Sequence, residues 1–248
     1  MHEPGAKIVL GHKIKENGEK EGYEVLRLLA RHPSTARFVC SKIAMRFISD
    51  DPPPALVDRM AKTFLKEDGD IREVLKTMLD SPEFWAPQAY RVKVKTPLEF
   101  VVSALRATGA EVNDATPIAR QLQQLGMPLY GAQPPTGYSM KAEAWVNSSA
   151  LLGRMNFALR LASGHVRGIE ITLPQPPSPD QRWDAQQALA WLENSLLEGN
   201  VSKQTHDTIT VQLSDPAITH RKLDDAAAPP NVAVIEGLLL GSPEFQKR

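Results

Sequence analysis

The chain has 248 residues, of which 42% are apolar, and its 29 basic side chains are balanced by 29 acidic ones. The apolar fraction is sufficient for a folded core and excludes a wholly disordered chain. The balanced charge argues against a nucleic-acid-binding protein, because such proteins carry a basic excess that neutralises phosphates. The single Cys can form neither an internal disulfide nor a cysteine zinc site.

The hydropathy of the sequence predicts a protein that is soluble as given. No uninterrupted apolar run approaches the roughly 20 residues of a membrane-spanning helix, so we expect no integral membrane segment. The opening Met-His-Glu-Pro-Gly is polar and is not typical of a signal peptide.

The predicted elements are almost all helices. Apolar residues recur at the three- and four-residue spacing of one helix face through most of the chain. Strand signals are weak and short, and they lie at Lys7–Gly11 and Ile169–Leu173. In chain order, helices are predicted near residues 21–31, from Pro33 onward, near 55–66 and 70–80, from Pro97, near 114–125 and 139–163, after Ser178, and near 203–213 and 230–241. The predicted fold class is therefore all-α, a multi-helix bundle of about ten helices.

Many of the 20 prolines mark predicted helix starts. Pro has no N–H to lose in the first helical turn, and a Ser, Thr or Asp before it can accept hydrogen bonds from free backbone N–H groups. At Thr96-Pro97 the pattern is joined by Glu99, which completes a capping box. The other instances are Ser81-Pro82, Thr116-Pro117, Ser178-Pro179, Asp215-Pro216 and Ser242-Pro243.

One internal repeat is visible in the sequence. Residues 70–84 and residues 232–245 each contain an apolar helix followed by Ser-Pro-Glu-Phe. Capping predicts the same helical corner in both copies, in which Ser caps, Pro begins another helical turn and Phe packs back on the preceding helix. Two copies are too few for a solenoid.

The chain is expected to divide near a Gly- and Pro-rich connection at residues 166–180. Residues 1–165 would then form a helical core domain, and residues 181–248 would form a set of C-terminal helices. Two arrangements stay open at this point, because these helices can pack on the same core or form a small separate subdomain.

The segment 139–163 is predicted to be a buried central helix. One apolar stripe runs through Trp145, Leu152 and Leu159, and a second stripe beside it contains Leu151. A helix that is apolar on more than one side is usually enclosed by its neighbours.

Three polar residues, Asn147, Arg154 and Asn156, interrupt this predicted helix. An unpaired buried amide costs roughly 1–3 kcal/mol, so we expect all three to have fixed partners, which for Arg154 would be carboxylates or helix C-terminal carbonyls. Two interpretations are open. The three residues form a structural polar network, or they line a pocket whose aromatic wall is Tyr138 and Trp145.

Signatures of common catalytic and metal sites are missing from the sequence. It contains no Gly-rich phosphate loop, no Gly-x-Ser-x-Gly motif and no His-Glu-x-x-His motif, and its six histidines are dispersed. We therefore predict neither a cofactor nor a bound metal. Cys40 falls on an apolar helix face and is predicted to be a buried, unreactive thiol. The basic stretch Tyr90–Lys95 is predicted to be a solvated loop, with anion binding at the following helix start as the alternative.

A series of short motifs follows one another along nearly the whole chain. They are residues 2–7 with Leu10-Gly11, then Leu29–Pro33, Thr35–Phe38, Ser81–Trp85, Thr96–Val101, Trp145–Asn147 and Leu151–Ala158. In this order they resemble the bacterial family known as domain of unknown function eighteen hundred, most strongly over residues 1–160. The resemblance implies that the chain is the C-terminal half of a parent about twice as long, which is exported to the cell envelope. Glu3 stands where the family usually has Asp, and the family has no established activity from which catalytic residues could be transferred.

Two functional hypotheses follow. In the first, the chain is a non-catalytic binding or scaffolding module of a larger bacterial protein, and its partner is the N-terminal half of its own parent chain. In the alternative, it is part of a hydrolase whose active site is completed by that N-terminal half. His2, Glu3, Lys7, Asn147 and Arg154 would supply the local part of this active site.

Overall fold

The computed structural model describes residues 3–176, 183–213 and 231–248. These residues contain ten α-helices, two short 3-10 helices and four short strands, which confirms the predicted all-α fold with about ten helices. By its internal contacts the chain divides into two compact units, Met1–Val92 and Lys93–Arg248. Residues on both sides of the stretch 166–180, where a connection was expected, share one hydrophobic core.

The first unit begins with a β-hairpin and continues with four helices. Strands β1 (Lys7–Val9) and β2 (His12–Ile14) pair antiparallel, with Lys7 opposite Ile14. The turn residues Leu10 and Gly11 both have positive φ, at 48° and 79°. The helices are α1 (Glu19–Ala30), α2 (Pro33–Phe47), α3 (Pro54–Lys66) and α4 (Ile71–Leu79), and a short 3-10 helix follows at Pro87–Ala89.

The core of the first unit is built by α2, α3 and α4. The small residues Ala36, Cys40 and Ala44 form the buried face of α2, and they pack against Met60 of α3 and Met78 of α4. Helix α1 contributes no apolar residue to this core, since the one buried residue in it is a glutamate. Its apolar side chains are therefore left outside the packed part of the unit.

The described residues of the second unit contain six α-helices and a second pair of short strands. The helices are α5 (Pro97–Ala107), α6 (Thr116–Gln124), α7 (Ser148–Ala162), α8 (Ala185–Leu197), α9 (Lys203–Leu213) and α10 (Val232–Leu240), with a 3-10 helix at Ala142–Ala144. Strand β3 (Glu111–Val112) pairs antiparallel with β4 (Ile169–Glu170). In the core, the ring of Phe100 contacts Phe157 and Phe245 edge-to-face at 6.1 and 6.2 Å between centroids.

The most enclosed helix of this unit is α10. Its residues Ile235, Glu236, Gly237, Leu239 and Leu240 are all buried. It packs chiefly against α7 and α8. A Cβ built on Gly237 would stand 2.9 Å from the Cα of residue 159 in α7, so the glycine allows the two helix backbones to approach closely.

Helix α7, which was expected to be buried on nearly every side, is instead amphipathic. Its buried face carries Arg154, Phe157 and Leu161, whereas Leu152 is 62% exposed and lies on a solvent-facing side. The helix also begins at Ser148 rather than near residue 139. The prediction was wrong because apolar content alone does not imply burial, as single leucines are common on protein surfaces.

The predicted capping box at Thr96 is confirmed, with the Thr96 hydroxyl accepting from the backbone N–H of Glu99 and the Glu99 carboxylate accepting from the backbone N–H of Thr96. At Ser81 and Ser242 the expected helix restart is wrong, because turns follow instead. Both serines nevertheless act like caps. Each hydroxyl accepts a hydrogen bond from the backbone N–H three residues later, at 3.3 Å.

Three further proline-marked starts have mixed outcomes. Helix α6 begins at Thr116 itself, and the preceding Asp114 accepts from the backbone N–H of Thr116 at 2.9 Å. Helix α8 is capped by Asp184, which forms a capping box with the third helical residue. The predicted caps Ser178 and Asp215 lie outside the described residues.

Candidate functional site

Lys7, a predicted site residue of the first unit, is fully engaged by its own chain. Its ammonium donates to the carbonyls of Glu3 at 2.8 Å and Gly5 at 3.1 Å, and to Oε2 of Glu21 at 2.8 Å. The other carboxylate oxygen of Glu21, which is buried, accepts from the backbone N–H of Asn17 at 2.7 Å. An ammonium has three donor hydrogens. All three donors of Lys7 are therefore used within the chain, where they hold the N-terminal segment and the hairpin against α1.

The remaining N-terminal candidates do not build a reaction centre around Lys7. Glu3 is exposed and contributes its backbone carbonyl, rather than its carboxylate, to this network. His2 lies outside the described residues.

A groove of about 480 Å³ opens between the hairpin and α1. We name it the hairpin–α1 groove, and it is lined by Lys7, Val9, Ile14, Gly18, Glu19, Glu21, Gly22, Val25 and Leu26. Leu26 is 62% exposed, and Tyr23 and Leu29 are exposed on the same helix. This part of the first unit thus offers an apolar concavity with exposed apolar side chains beside it.

Tyr138 and Trp145 pack together, as expected for two residues of one aromatic wall. Their ring centroids lie 6.0 Å apart in an edge-to-face arrangement. The polar atoms of both rings are used inside the chain, because the Tyr138 hydroxyl donates to the carbonyl of Pro128 at 2.6 Å and the Trp145 indole N–H donates to the carbonyl of Ser139 at 2.9 Å. The pair holds the irregular segment before α7 in place, and neither ring is among the residues that line the groove next to Asn147 and Asn156.

Asn147 and Asn156 are both exposed, so the expectation that they are buried is wrong. Asn147 precedes α7 as its N-cap, and its Oδ1 accepts from the backbone N–H of Ala150 at 2.9 Å. Asn156 lies on the solvent-exposed face of α7. The two residues do, however, line one groove.

This second groove, the α6–α7 groove, has a volume of about 430 Å³. A Cβ on Gly153 would stand 3.1 Å from Cδ2 of Leu125, so the end of α6 lies close against α7 there. The groove is lined by Gln121, Gln124, Leu125, Gly126, Asn147, Ser149, Ala150, Gly153, Asn156, Phe157 and Arg160. Carboxamides dominate its polar part, and Arg160 is its charged residue.

Arg154 is fully buried, as predicted, but its partner is not of the predicted kind. Its Nη1 donates to Oε1 of Gln246 at 3.3 Å, and its guanidinium carbon lies 5.4 Å from the centroid of the Phe100 ring. Its Nε and Nη2 have no acceptor among the described residues. Burial lowers the pKa of Arg154, and the nearby carboxylate of Glu99 opposes this shift. Glu99 itself is paired with Arg248 at 3.1 Å.

Glu236 is a buried charged residue that the sequence reasoning missed. It is 3% exposed in the middle of α10, and its Oε2 has no donor within the described ranges. Burial raises the pKa of this carboxyl to about 7. The sequence nevertheless indicates the burial of Glu236, because the segment Val232–Leu240 is apolar on every side and Glu236 is its one charged residue.

The other sequence-level candidates have structural roles. Cys40 is buried, and burial raises the pKa of its thiol to about 11, which keeps it protonated and unreactive at neutral pH. The solvated-loop prediction for Tyr90–Lys95 is wrong at Lys93, which is buried and donates to the carbonyl of Met140 at 2.8 Å. In the part of the chain that the structure describes, no three His, Cys, Asp or Glu side chains converge as a metal site.

The described structure therefore defines an all-α protein with solvent-accessible grooves in both units. In the hairpin–α1 groove and the α6–α7 groove, no described hydrogen bond pairs a nucleophile with a base. A family model described as "Protein of unknown function (DUF1800)" matches residues 1–247, and the chain belongs to this family. No curated protein and no solved structure matches the chain. Among the described helices, none has the length and apolar character needed to cross a bilayer.

Proposed function

We propose that the chain is a non-catalytic binding module of a larger bacterial protein and that a polypeptide docks in the hairpin–α1 groove. The observation that carries this proposal is the open apolar side of α1. Leu26 lines the groove and is 62% exposed, with Tyr23 and Leu29 exposed on the same helix. Covering large apolar side chains of this kind contributes about 1.5–3 kcal/mol each.

A docked partner would also stabilise the hairpin. A two-stranded hairpin is marginally stable in isolation. Here the Lys7–Glu21 ion pair at 2.8 Å joins β1 to α1, while Val9 and Ile14 line the groove between them. The core of α2, α3 and α4 does not cover the apolar side chains of α1. A docked apolar segment would cover them.

The occupant we propose is the N-terminal half of the longer parent chain that the family resemblance implies. A segment of the same polypeptide needs little affinity of its own, because the covalent link raises its effective concentration at the groove. The lining of the groove favours apolar side chains over charged ones. Of its three charged groups, Lys7 and Glu21 neutralise each other, and the carboxylate of Glu19 accepts from the Tyr23 hydroxyl at 3.2 Å.

The hydrolase alternative has less support. All three donors of Lys7 are engaged, and Arg154 is buried under Phe100 with a hydrogen bond to Gln246. Asn147 is occupied as a helix cap. Residues held in this way are poor candidates for contact with a substrate.

The test is a calorimetric titration of this chain with the polypeptide encoded immediately upstream of it. We expect a complex whose affinity falls at least tenfold in Leu26→Asp, because a carboxylate in an apolar contact loses its solvation. Val211→Asp is the matched control, since Val211 is 70% exposed on α9 and does not line the groove. The binding proposal is wrong if no complex forms, or if Leu26→Asp binds as tightly as the unchanged chain. Ester or peptide hydrolysis by the complex that is abolished by Lys7→Met would overturn the non-catalytic assignment.

A further inference from the structure

We infer that the α6–α7 groove binds an extended peptide segment that carries an acidic side chain. The groove belongs to the second unit and is independent of the hairpin–α1 groove. The inference therefore stands or falls separately from the proposed docking of the parent chain.

The polar side chains of the groove are available for a ligand. Gln121, Gln124, Asn156 and Arg160 line it, and no hydrogen bond or ion pair among the described residues involves their side chains. A carboxamide offers both a donor and an acceptor. A row of carboxamides therefore complements the alternating N–H and C=O groups of an extended backbone.

The charge of the groove favours an acidic ligand. Arg160 is the one charged residue in the lining, and no carboxylate lines the groove among the described residues. A guanidinium binds a carboxylate through two parallel hydrogen bonds, which selects an acidic side chain over a neutral one. The first turn of α7, which includes Ser149, adds the partial positive charge of a helix N-terminus at the other end of the lining.

The length and the apolar part of the groove select a peptide. Ser149 and Arg160 are 11 positions apart on α7, which is about 16 Å along a helix. Five extended residues span the same distance at about 3.3 Å each. Leu125 and Ala150 provide an apolar floor, but the one aromatic residue in the lining, Phe157, is buried. A saccharide, which is usually held by stacking on an exposed aromatic ring, would find no such ring here.

The test uses nuclear magnetic resonance of the full chain labelled with ¹⁵N, because the side-chain NH₂ groups of Gln121, Gln124 and Asn156 give signals of their own. The probe is the acetylated and amidated pentapeptide glutamate-alanine-serine-alanine-glutamate, which can bind in either direction. We expect saturable shifts of these three signals. Affinity should fall at least tenfold in Arg160→Ala, the loss of one charge-assisted contact. Arg106→Ala is the control, because Arg106 is an exposed arginine of α5 outside the groove.

Three outcomes overturn the inference. The first is the absence of saturable shifts at these side chains with millimolar peptide. The second is equal affinity in Arg160→Ala and the unchanged chain, which would indicate unspecific attraction of charge. The third is saturation by trigalacturonic acid without saturation by the peptide, which would assign the groove to an acidic saccharide.

Discussion

The guanidinium of Arg154 donates to Oε1 of Gln246 at 3.3 Å inside the core of the second unit, so a buried charge is held by a neutral amide. Gln246 donates in turn from Nε2 to the carbonyl of Gly241 at 3.0 Å. From the sequence, a carboxylate or a helix C-terminal carbonyl is the expected partner of Arg154. The difference matters for stability, because a carboxamide compensates the desolvation of a buried charge less well than a carboxylate does.

Replacing Gln246 should therefore cost more stability than replacing Arg154. We expect Gln246→Leu to lower the free energy of unfolding by about 2–3 kcal/mol, because the buried guanidinium loses its acceptor. Arg154→Met removes the charge together with its desolvation cost and should change stability less. Urea unfolding of both single variants and the double variant checks this. The expectation fails if adding Arg154→Met to Gln246→Leu lowers stability further instead of restoring part of it.

Glu236 should make the stability of the second unit depend on pH. Its pKa is raised from 4.5 to about 7 in the folded state, because burial penalises the ionised carboxylate. The unfolded chain therefore releases this proton first, and stability falls as the pH rises from about 4.5 to about 7, then stays level. Over this pH range, the shift in the pKa of Glu236 corresponds to a loss of roughly 3 kcal/mol in the free energy of unfolding.

The matching variant is Glu236→Gln, which cannot ionise. We expect it to be more stable than the unchanged chain at pH values above the folded-state pKa, and to be similar to it in acid. Unfolding by urea at several pH values measures both curves. A Glu236→Gln curve parallel to that of the unchanged chain would show that this carboxyl is ionised in the folded protein.

Two Gly→Ala substitutions should change the free energy of unfolding in opposite directions. Gly237 of α10 lies close against α7, whereas Gly22 of α1 faces open space. Gly237→Ala should lower the free energy of unfolding by about 1–3 kcal/mol, because the new methyl group would stand 2.9 Å from the backbone of Leu159. Gly22→Ala in α1 should raise it by about 0.5–1 kcal/mol, since nothing lies within 4 Å of the new Cβ and Ala is the better helix former. Thermal unfolding compares the two. Equal changes in thermal stability for the two variants would contradict the close contact between Gly237 and α7.

The hairpin should depend on Glu21 for its attachment to α1. Glu21→Ala removes one of the three acceptors of Lys7 and the acceptor for the backbone N–H of Asn17, and we expect a loss of about 1–2 kcal/mol in the free energy of unfolding. Amide exchange in residues 7–14 should become faster, while Glu24→Ala, an exposed glutamate of the same helix, should leave it unchanged. Unaltered exchange in Glu21→Ala would show that the hairpin is held by its apolar contacts alone.

Local signals predicted the elements of this fold well. The spacing of apolar residues and the Thr96 capping box depend on neighbours in sequence, and both predicted the helices that the structure contains. Ser81 and Ser242 illustrate the limit of such signals. Each serine accepts the expected backbone hydrogen bond, but turns follow it, so a cap by itself does not determine that another helix begins.

The site residues were predicted less well because burial depends on neighbours distant in sequence. Leu152 and Leu239 have the same side chain in apolar helices, yet the first is 62% exposed and the second fully buried. The same argument that selected Arg154 on α7 applies to Glu236 on α10, where the surrounding apolar residues are more continuous. The sequence cannot distinguish the two helices until the contact between α7 and α10 is known.

Hydrogen–deuterium exchange of α1 tests the central claim most directly. The chain is measured alone and with the polypeptide encoded upstream of it, and the exchange of residues 19–30 is compared with that of α9. The account predicts that the partner slows exchange in α1 and leaves α9 unchanged, because docking in the hairpin–α1 groove covers Tyr23 and Leu26. Exchange in α1 that is the same with and without the partner, while the two polypeptides form a complex, would contradict it.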